Sequence, residues 1–208
     1  MAISSLSKFT VPISGGQSNS SQGLLMPKLK YRFRVLLENF GVTKPTTELT
    51  KQVMTITRPD VSFENIELSV YNSKINYAGR YTWEAVSLVL RDDVTGAVSK
   101  LVGEQIQKQF DFFEQASASS GMDYKFVTRI EILDGGNGTL EPNILEVFEL
   151  NGCYIQKTTY SGADYKSSDP LDITLSIKYD NAIQTNGAGQ AQGIGGLVGR
   201  TLRTLATG

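Results

Sequence analysis

Apolar and polar residues alternate through much of the middle of the chain. Tyr31, Phe33, Val35 and Leu37 alternate with Arg32, Arg34 and Glu38, the period of two that marks a half-buried strand. Leu171, Ile173, Leu175, Ile177 and Tyr179 alternate with Asp172, Thr174, Ser176, Lys178 and Asp180, the cleanest strand pattern in the sequence. Gln52–Thr57, Ser62–Tyr71, Tyr81–Leu90, Tyr124–Leu133 and Ile144–Thr158 read as further strands. Asp134-Gly-Gly-Asn-Gly-Thr is a turn signal, and Asn151-Gly152 marks a bend or bulge in the longest strand. Asn39–Thr50, with Lys44-Pro-Thr-Thr-Glu48 inside it, reads as a loop between two strands.

One segment changes period. From Asp93 onward, Val94, Val98, Leu101, Val102, Ile106, Phe110 and Phe113 recur at steps of mostly three and four. Lys100, Glu104, Lys108 and Glu114 fall largely off that stripe, so the spacing predicts an amphipathic helix over about 93–116. Asp92 or Asp93 is placed to cap its start, and Gly121 to mark the exit after it. Strands, one long helix and strands again predict a mainly β fold, a β-barrel or β-sandwich with the helix on one side.

The two ends differ from the middle. Ser14–Gly23 and Asn186–Gly196 have the Gly/Ser/Gln/Asn composition of flexible linkers. Residues 1–30 carry Lys8, Lys28 and Lys30 and no acid; residues 181–208 carry Arg200 and Arg203 and again no acid. Removing those five bases from a chain with 20 bases and 21 acids leaves 15 against 21, a net of -6 on residues 31–180. The expected organisation is therefore an N-terminal arm (1–30), an acidic β domain (31–180) and a C-terminal arm (181–208).

Composition removes much of enzymology. The 208 residues contain no histidine and a single cysteine, so Ser-His-Asp and Cys-His catalysis, histidine-bearing zinc sites and an internal disulfide are excluded within the chain. The adjacent Asp92-Asp93 pair reads as a helix cap rather than a metal site. Cys153 lies in a predicted strand without a basic neighbour and reads as a buried, inert thiol. No apolar run approaches the ~20 residues of a membrane span, and Met1–Thr10 lacks the pattern of a secretory signal. No cofactor, metal or catalytic residue is expected.

Asn72-Ser-Lys-Ile-Asn-Tyr-Ala-Gly79, then Arg80-Tyr-Thr-Trp-Glu84 and a strand ending in Arg91-Asp-Asp-Val94, carry a family resemblance. So do Thr57-Arg-Pro-Asp-Val-Ser-Phe-Glu64, Lys100-Leu-Val-Gly and Gln109-Phe-Asp-Phe-Phe113 around the helix, and Glu149-Leu-Asn-Gly-Cys-Tyr154. Together with Leu171–Asp180, these segments resemble the tail tube proteins of contractile-tailed bacteriophages, over roughly residues 30–182. The resemblance implies a small β-barrel or sandwich that assembles into hexameric rings stacked as a hollow tube. It implies a non-enzymatic virion component, assembled in the host cytoplasm. Its partners would be itself, the tail sheath, the tape-measure protein, the baseplate and the tail terminator, with DNA as passing cargo during ejection. The inner tube of a phage-derived contractile injection system is the alternative, and a non-polymerising β-sandwich binding module ranks below both.

On that reading three groups of residues are expected to serve assembly. The polar face of the last strand (Asp172, Thr174, Ser176 and Lys178) is a candidate bore lining, with Glu131 and Glu146 as further candidates. Lys44, Pro45, Thr46, Thr47 and Glu48 are the candidate ring-to-ring contact. Lys8, Lys28, Lys30, Arg200 and Arg203 are candidate arm contacts to the acidic bodies of neighbouring subunits, since opposite charge steers association.

Overall fold

The longest strand, β9 (Ile144–Tyr160), organises the structure, a computed structural model that describes residues 27–42, 47–135 and 142–195. The first half of β9 pairs with β8 (Phe126–Leu133) on one side and β11 (Asn181–Asn186) on the other. Its second half pairs with β10 (Asp172–Lys178). β1 (Phe33–Glu38) extends the first sheet beyond β8. β5 (Val86–Arg91) and then β2 (Val53–Ile56) extend the second beyond β10. Every pairing is antiparallel. The result is two four-stranded layers, sheet I (β1-β8-β9-β11) and sheet II (β9-β10-β5-β2), joined by one strand that passes from one to the other.

Gly152 lets β9 make that passage. It sits at φ +71, and the β8 register slips there, with Phe126 facing Cys153 and Thr128 facing Leu150. That left-handed backbone is one side chains rarely adopt, and a β-carbon there would also have to push the Asp180 carboxylate aside, so the position favours glycine. The bulge foreseen at Asn151-Gly152 is the corner of the sandwich.

Alternation does the rest. Leu37, Ile130, Phe148 and Leu150 of sheet I join Val86, Leu88, Leu90, Ile173, Leu175 and Ile177 of sheet II in one continuous core. Leu88, Leu90, Leu175 and Ile177 are completely buried. Each such side chain contributes about 1.5–3 kcal/mol relative to exposure.

The helix forms, but is shorter than its stripe. α2 (Ala97–Gln109) buries Val98, Leu101, Val102 and Gln105. Val94 and Phe113, counted on the stripe, are fully or almost fully exposed. Asp93 does act at the start, its Oδ1 accepting from Ala97 N at 3.0 Å and Thr95 Oγ1 at 2.9 Å, while left-handed Gly96 holds the cap position. At the other end the backbone opens at Phe110 into a two-residue ribbon, β6 (Phe110–Asp111) with β7 (Ala116–Ser117). Asp111 stops the helix by accepting the N–H groups of Phe113 and Glu114, which holds its carboxyl below its ordinary pKa. Gly121 is not an exit residue: it opens a short turn of helix, α3 (Gly121–Tyr124), behind a Ser120–Asp123 capping box.

Three further expectations are corrected. The loop expected over Asn39–Thr50 contains a short helix, α1 (Thr47–Gln52), because Leu49 finds a fully buried place in the core. The single strand expected over Tyr81–Leu90 is broken at Glu84-Ala85, and its first part belongs to a longer strand, β4 (Ser73–Trp83). The C-terminal arm does not begin at residue 181. Asn181–Asn186 is a full strand of sheet I with Ala182 in the core, and Gln192 and Ile194 return to Gln184 through backbone hydrogen bonds of 2.8 Å each. That strand was hidden because backbone pairing to β9 needs no apolar side chains.

The chain divides into two units, Met1–Arg32 and Phe33–Gly208. In the first, the described residues form a turn closed by Arg32 N to Leu29 O, with the Arg32 guanidinium 5.5 Å from the Tyr31 ring centre.

Candidate assembly surface

β3 (Val61–Val70) and β4 (Ser73–Trp83) form a long hairpin closed by Tyr71-Asn72, with Tyr71 at φ +52. The hairpin continues the β2–β5 pair without a slip. Ile56 faces Leu88, Val61 faces Trp83, and Thr57 N–Ser87 O and Glu84 N–Asp60 O bonds of 3.0 Å bridge the interval. Among the described residues no third strand joins the hairpin. At the body end Trp83 is buried against Tyr179, ring centres 5.5 Å apart. Beyond it every residue of both strands is exposed apart from half-buried Gly79.

Exposure here falls on residues a strand ordinarily buries. Val61, Phe63, Ile66, Leu68, Val70, Ile75, Tyr77 and Tyr81 are all between one-third and two-thirds open to solvent. Together they leave bare an apolar area on the order of 700 Å², close to the ~800 Å² each partner contributes to a stable complex. The two unpaired ribbon edges add a row of free backbone donors and acceptors that invite strand pairing.

The outer faces of the two sheets differ. On sheet I, Arg34–Glu131 (2.7 Å), Arg129–Glu38 (2.8 Å) and Arg129–Glu149 (3.1 Å) form a ladder of ion pairs across β1, β8 and β9. On sheet II the corresponding rows are mixed: Arg91 faces Asp172, Val89, Thr174 and Thr159 form the next row, and Ser87, Ser176 and Lys157 the one after it.

The candidate residues separate on this frame. Asp172, Thr174, Ser176 and Lys178 do share the outer face of sheet II, alternating with buried Ile173, Leu175 and Ile177. The Lys178 ammonium is turned toward the hairpin base, donating to the Trp83 carbonyl. Glu131 and Glu146 do not belong together. Glu131 shares the outer face of sheet I with Arg129, whereas Glu146 shares the inner parity of Phe148 and Leu150 and accepts from Gln184. A one-residue difference in register reverses the face, which charge alone cannot reveal.

Lys44, Pro45 and Thr46 lie outside the described residues; Thr47 opens α1, and Glu48 lies within it. Lys8, Arg200 and Arg203 also lie outside them, while Lys28 and Lys30 are exposed in the first unit. The strand pattern found β3 as Ser62–Tyr71 but missed the first part of β4. Ile75 and Tyr77 alternate with Lys74, Asn76 and Ala78, a signal legible in Ser73–Gly79, but the glycine and the bulge beside it break the period.

Two polar contacts flank the Gly152 corner of β9. The Gln109 amide donates to Ile155 O at 2.9 Å and accepts from Ile155 N at 2.8 Å, closing the strand edge at that residue. Lys125 meets Asp180 at 2.5 Å, and that bond raises the lysine above its ordinary pKa. Burial pushes the Cys153 thiol up to about 11, which removes it as a nucleophile at neutral pH. Among the described residues no cluster of acidic or thiol side chains could hold a metal, and no helix is long and apolar enough to cross a membrane.

Neither a described protein family nor a curated protein matches the sequence. Solved structures do match in fold. A chain of the anti-feeding prophage baseplate is 13% identical with a TM-score of 0.57, the match spanning 79% of this chain and 99% of that one. A chain of the anti-feeding prophage cap, which terminates the tube, is 13% identical at 0.56, spanning 79% and 94%. A chain from the sheath-tube complex of an extracellular contractile injection system (PVC), in its extended state, is 16% identical at 0.53, spanning 81% and 98%. This mainly β chain therefore shares its fold with tube-type components of contractile injection machines.

Proposed function

We propose that this protein is a structural subunit of a phage tail tube, assembling as six-fold rings that stack into a hollow conduit for DNA. The β3–β4 hairpin carries the reading: an apolar, two-edged ribbon of that length has no role in a solitary domain. Sheet II supports it. Its end strands, β2 and the second half of β9, are edges, and pairing one with the other on a neighbour is a head-to-tail contact that closes a ring. The outer face of sheet II would then line the bore.

On this reading Thr174, Ser176, Ser87 and Thr159 present hydroxyls to the passing duplex, beside the charged Asp172, Arg91 and Lys157 of the same face. The net negative charge of residues 31–180 would lie chiefly elsewhere, available to the basic ends of neighbouring subunits through Lys8, Lys28, Lys30, Arg200 and Arg203. The sheath, tape-measure protein, baseplate and terminator are the remaining partners, and the role is structural rather than catalytic. The inner tube of an injection machine is the second reading, favoured by the matches to the anti-feeding prophage and extracellular injection system.

Negative-stain electron microscopy of the purified chain over a concentration series, with and without baseplate extract, tests the proposal. Six-fold rings or hollow tubes are the expected result; compact monomers under every condition would overturn it. Particles isolated from the native source then separate the two readings, since a DNA-filled capsid on the tube selects the phage tail and its absence selects the injection machine.

A further inference from the structure

The hairpin is apolar on both faces, but not at the same height. β3 alternates regularly, so Val61, Phe63, Asn65, Glu67 and Ser69 share one face and Ser62, Glu64, Ile66, Leu68 and Val70 the other. On β4 the register slips once, at Gly79-Arg80 opposite Glu64: Phe63 faces Tyr81, but Asn65 faces Ala78. That extra residue keeps the two strands in step. Val61 and Phe63 lie with Trp83 and Tyr81 on the first face near the body. Ile66 and Leu68 lie with Tyr77 and Ile75 on the second face toward the tip.

Each face is therefore half apolar and half polar, in opposite order. The polar half of the first face is knitted internally, by Asn65 to Asn76 at 3.3 Å and Lys74 to Glu67 at 2.7 Å. The polar half of the second face is knitted by Ser62, whose hydroxyl donates toward the Thr82 carbonyl and Glu84. The crossover is tight. A β-carbon at Gly79 would lie 3.0 Å from the Glu64 carbonyl oxygen and 3.2 Å from Ile66 Cδ1.

We infer that the hairpin is held between two other copies of this chain, one covering the Phe63–Tyr81 patch and a different one covering the Leu68–Tyr77 patch. A single neighbour lying on one face would bury one patch and leave the other wet, besides setting its own apolar groups against the knitted polar half. Two neighbours on opposite faces bury both. The bare apolar area approaches that of a standard interface only when both patches are counted, so neither contact is strong alone. A subunit wedged between two others joins two interfaces through one element, and assembly beyond a pair becomes cooperative. The inference rests on the tube-subunit reading and adds which side chains meet which neighbour.

Two double variants test it: Phe63→Ser with Tyr81→Ser, and Leu68→Ser with Tyr77→Ser. All four side chains are half-exposed, so both variants should fold, with thermal unfolding curves overlaying the parent's. Sedimentation velocity and negative-stain microscopy then read the largest species at concentrations where the parent forms tubes. The expected result is arrest at two different species, one variant giving closed rings that do not stack and the other giving smaller or open assemblies. Arrest of both at the same species would mean that one neighbour contacts both patches, which overturns the inference and leaves the tube reading intact. Tubes of parental length and yield from both variants would remove the hairpin as an interface and overturn the tube reading with it.

Discussion

Leu175 and Leu68 occupy similar sequence settings with opposite outcomes. Each is a leucine flanked by polar residues in a regularly alternating strand, yet Leu175 is completely buried and Leu68 is half exposed. The sandwich body consumes its own alternation, with the buried side chains of sheet II in one cluster with those of sheet I and α2. The hairpin does not, because among the described residues no second layer lies over it. Apolar surface that a fold cannot cover by itself is an instruction to assemble, written in the same period-two code as the core. What separates the two is only whether the partner is in the same chain.

Substitutions can widen that contrast or collapse it. Leu175→Ala should cost about 2–5 kcal/mol, because it opens a cavity where sheet II meets the core. Urea unfolding of the monomer would measure it, and a loss under 1 kcal/mol would mean that the body is not packed as described. Gln105→Ala should follow at about 1–3 kcal/mol. Its buried amide accepts from Gly41 N at 2.9 Å and donates to Tyr124 O at 2.6 Å, so truncation leaves both backbone groups without that partner.

Alkali should weaken the body gradually. Burial raises Cys153 from 9.0 to about 11 and Tyr179 from 10.0 to about 12. Both folded-state values stand above the unfolded ones, so their stabilisation is whole below pH 9 and is lost as pH rises through 11 and 12. Unfolding free energy should hold level from pH 7 to 9 and decline above it, and a Cys153→Ala variant should start its decline later. Arg129→Ala removes two half-exposed ion pairs on sheet I and should cost no more than about 1 kcal/mol, less in high salt.

Leu68→Ser sits at the small end for stability, at about 0.5–1 kcal/mol, since among the described residues only its hairpin neighbours cover it and half of it is already open. Its effect on assembly should be the reverse of its effect on folding. A melting temperature unchanged beside a lost polymer would sharpen the comparison. A large loss of monomer stability would break it, by showing that the hairpin is part of the core after all.

Face assignment shows where reading the sequence stopped. Asp172, Thr174, Ser176 and Lys178 could be grouped from the sequence because one uninterrupted strand holds them, and alternation within a strand survives any fold. Glu131 and Glu146 could not, because they sit on different strands whose pairing register lies outside local sequence. The helix was legible in its middle, where Val98, Leu101 and Val102 are buried, and misread at its ends. Asp111 ends it by capturing two backbone N–H groups, a local hydrogen bond that an apolar stripe does not encode.

The sequence by itself determined most strands of the body, the presence of α2, a bend or bulge at Asn151-Gly152 and the exclusion of histidine- and disulfide-based chemistry. Those follow from period, from φ and from composition, all of which are local. Tertiary structure alone decided that β9 belongs to two sheets, that Asn181–Asn186 closes sheet I, that Glu131 and Glu146 part company, and that the β3–β4 ribbon stands uncovered. Each of those depends on which strand lies beside which, and a pleated strand offers the same two edges and two faces to any neighbour until the fold chooses one.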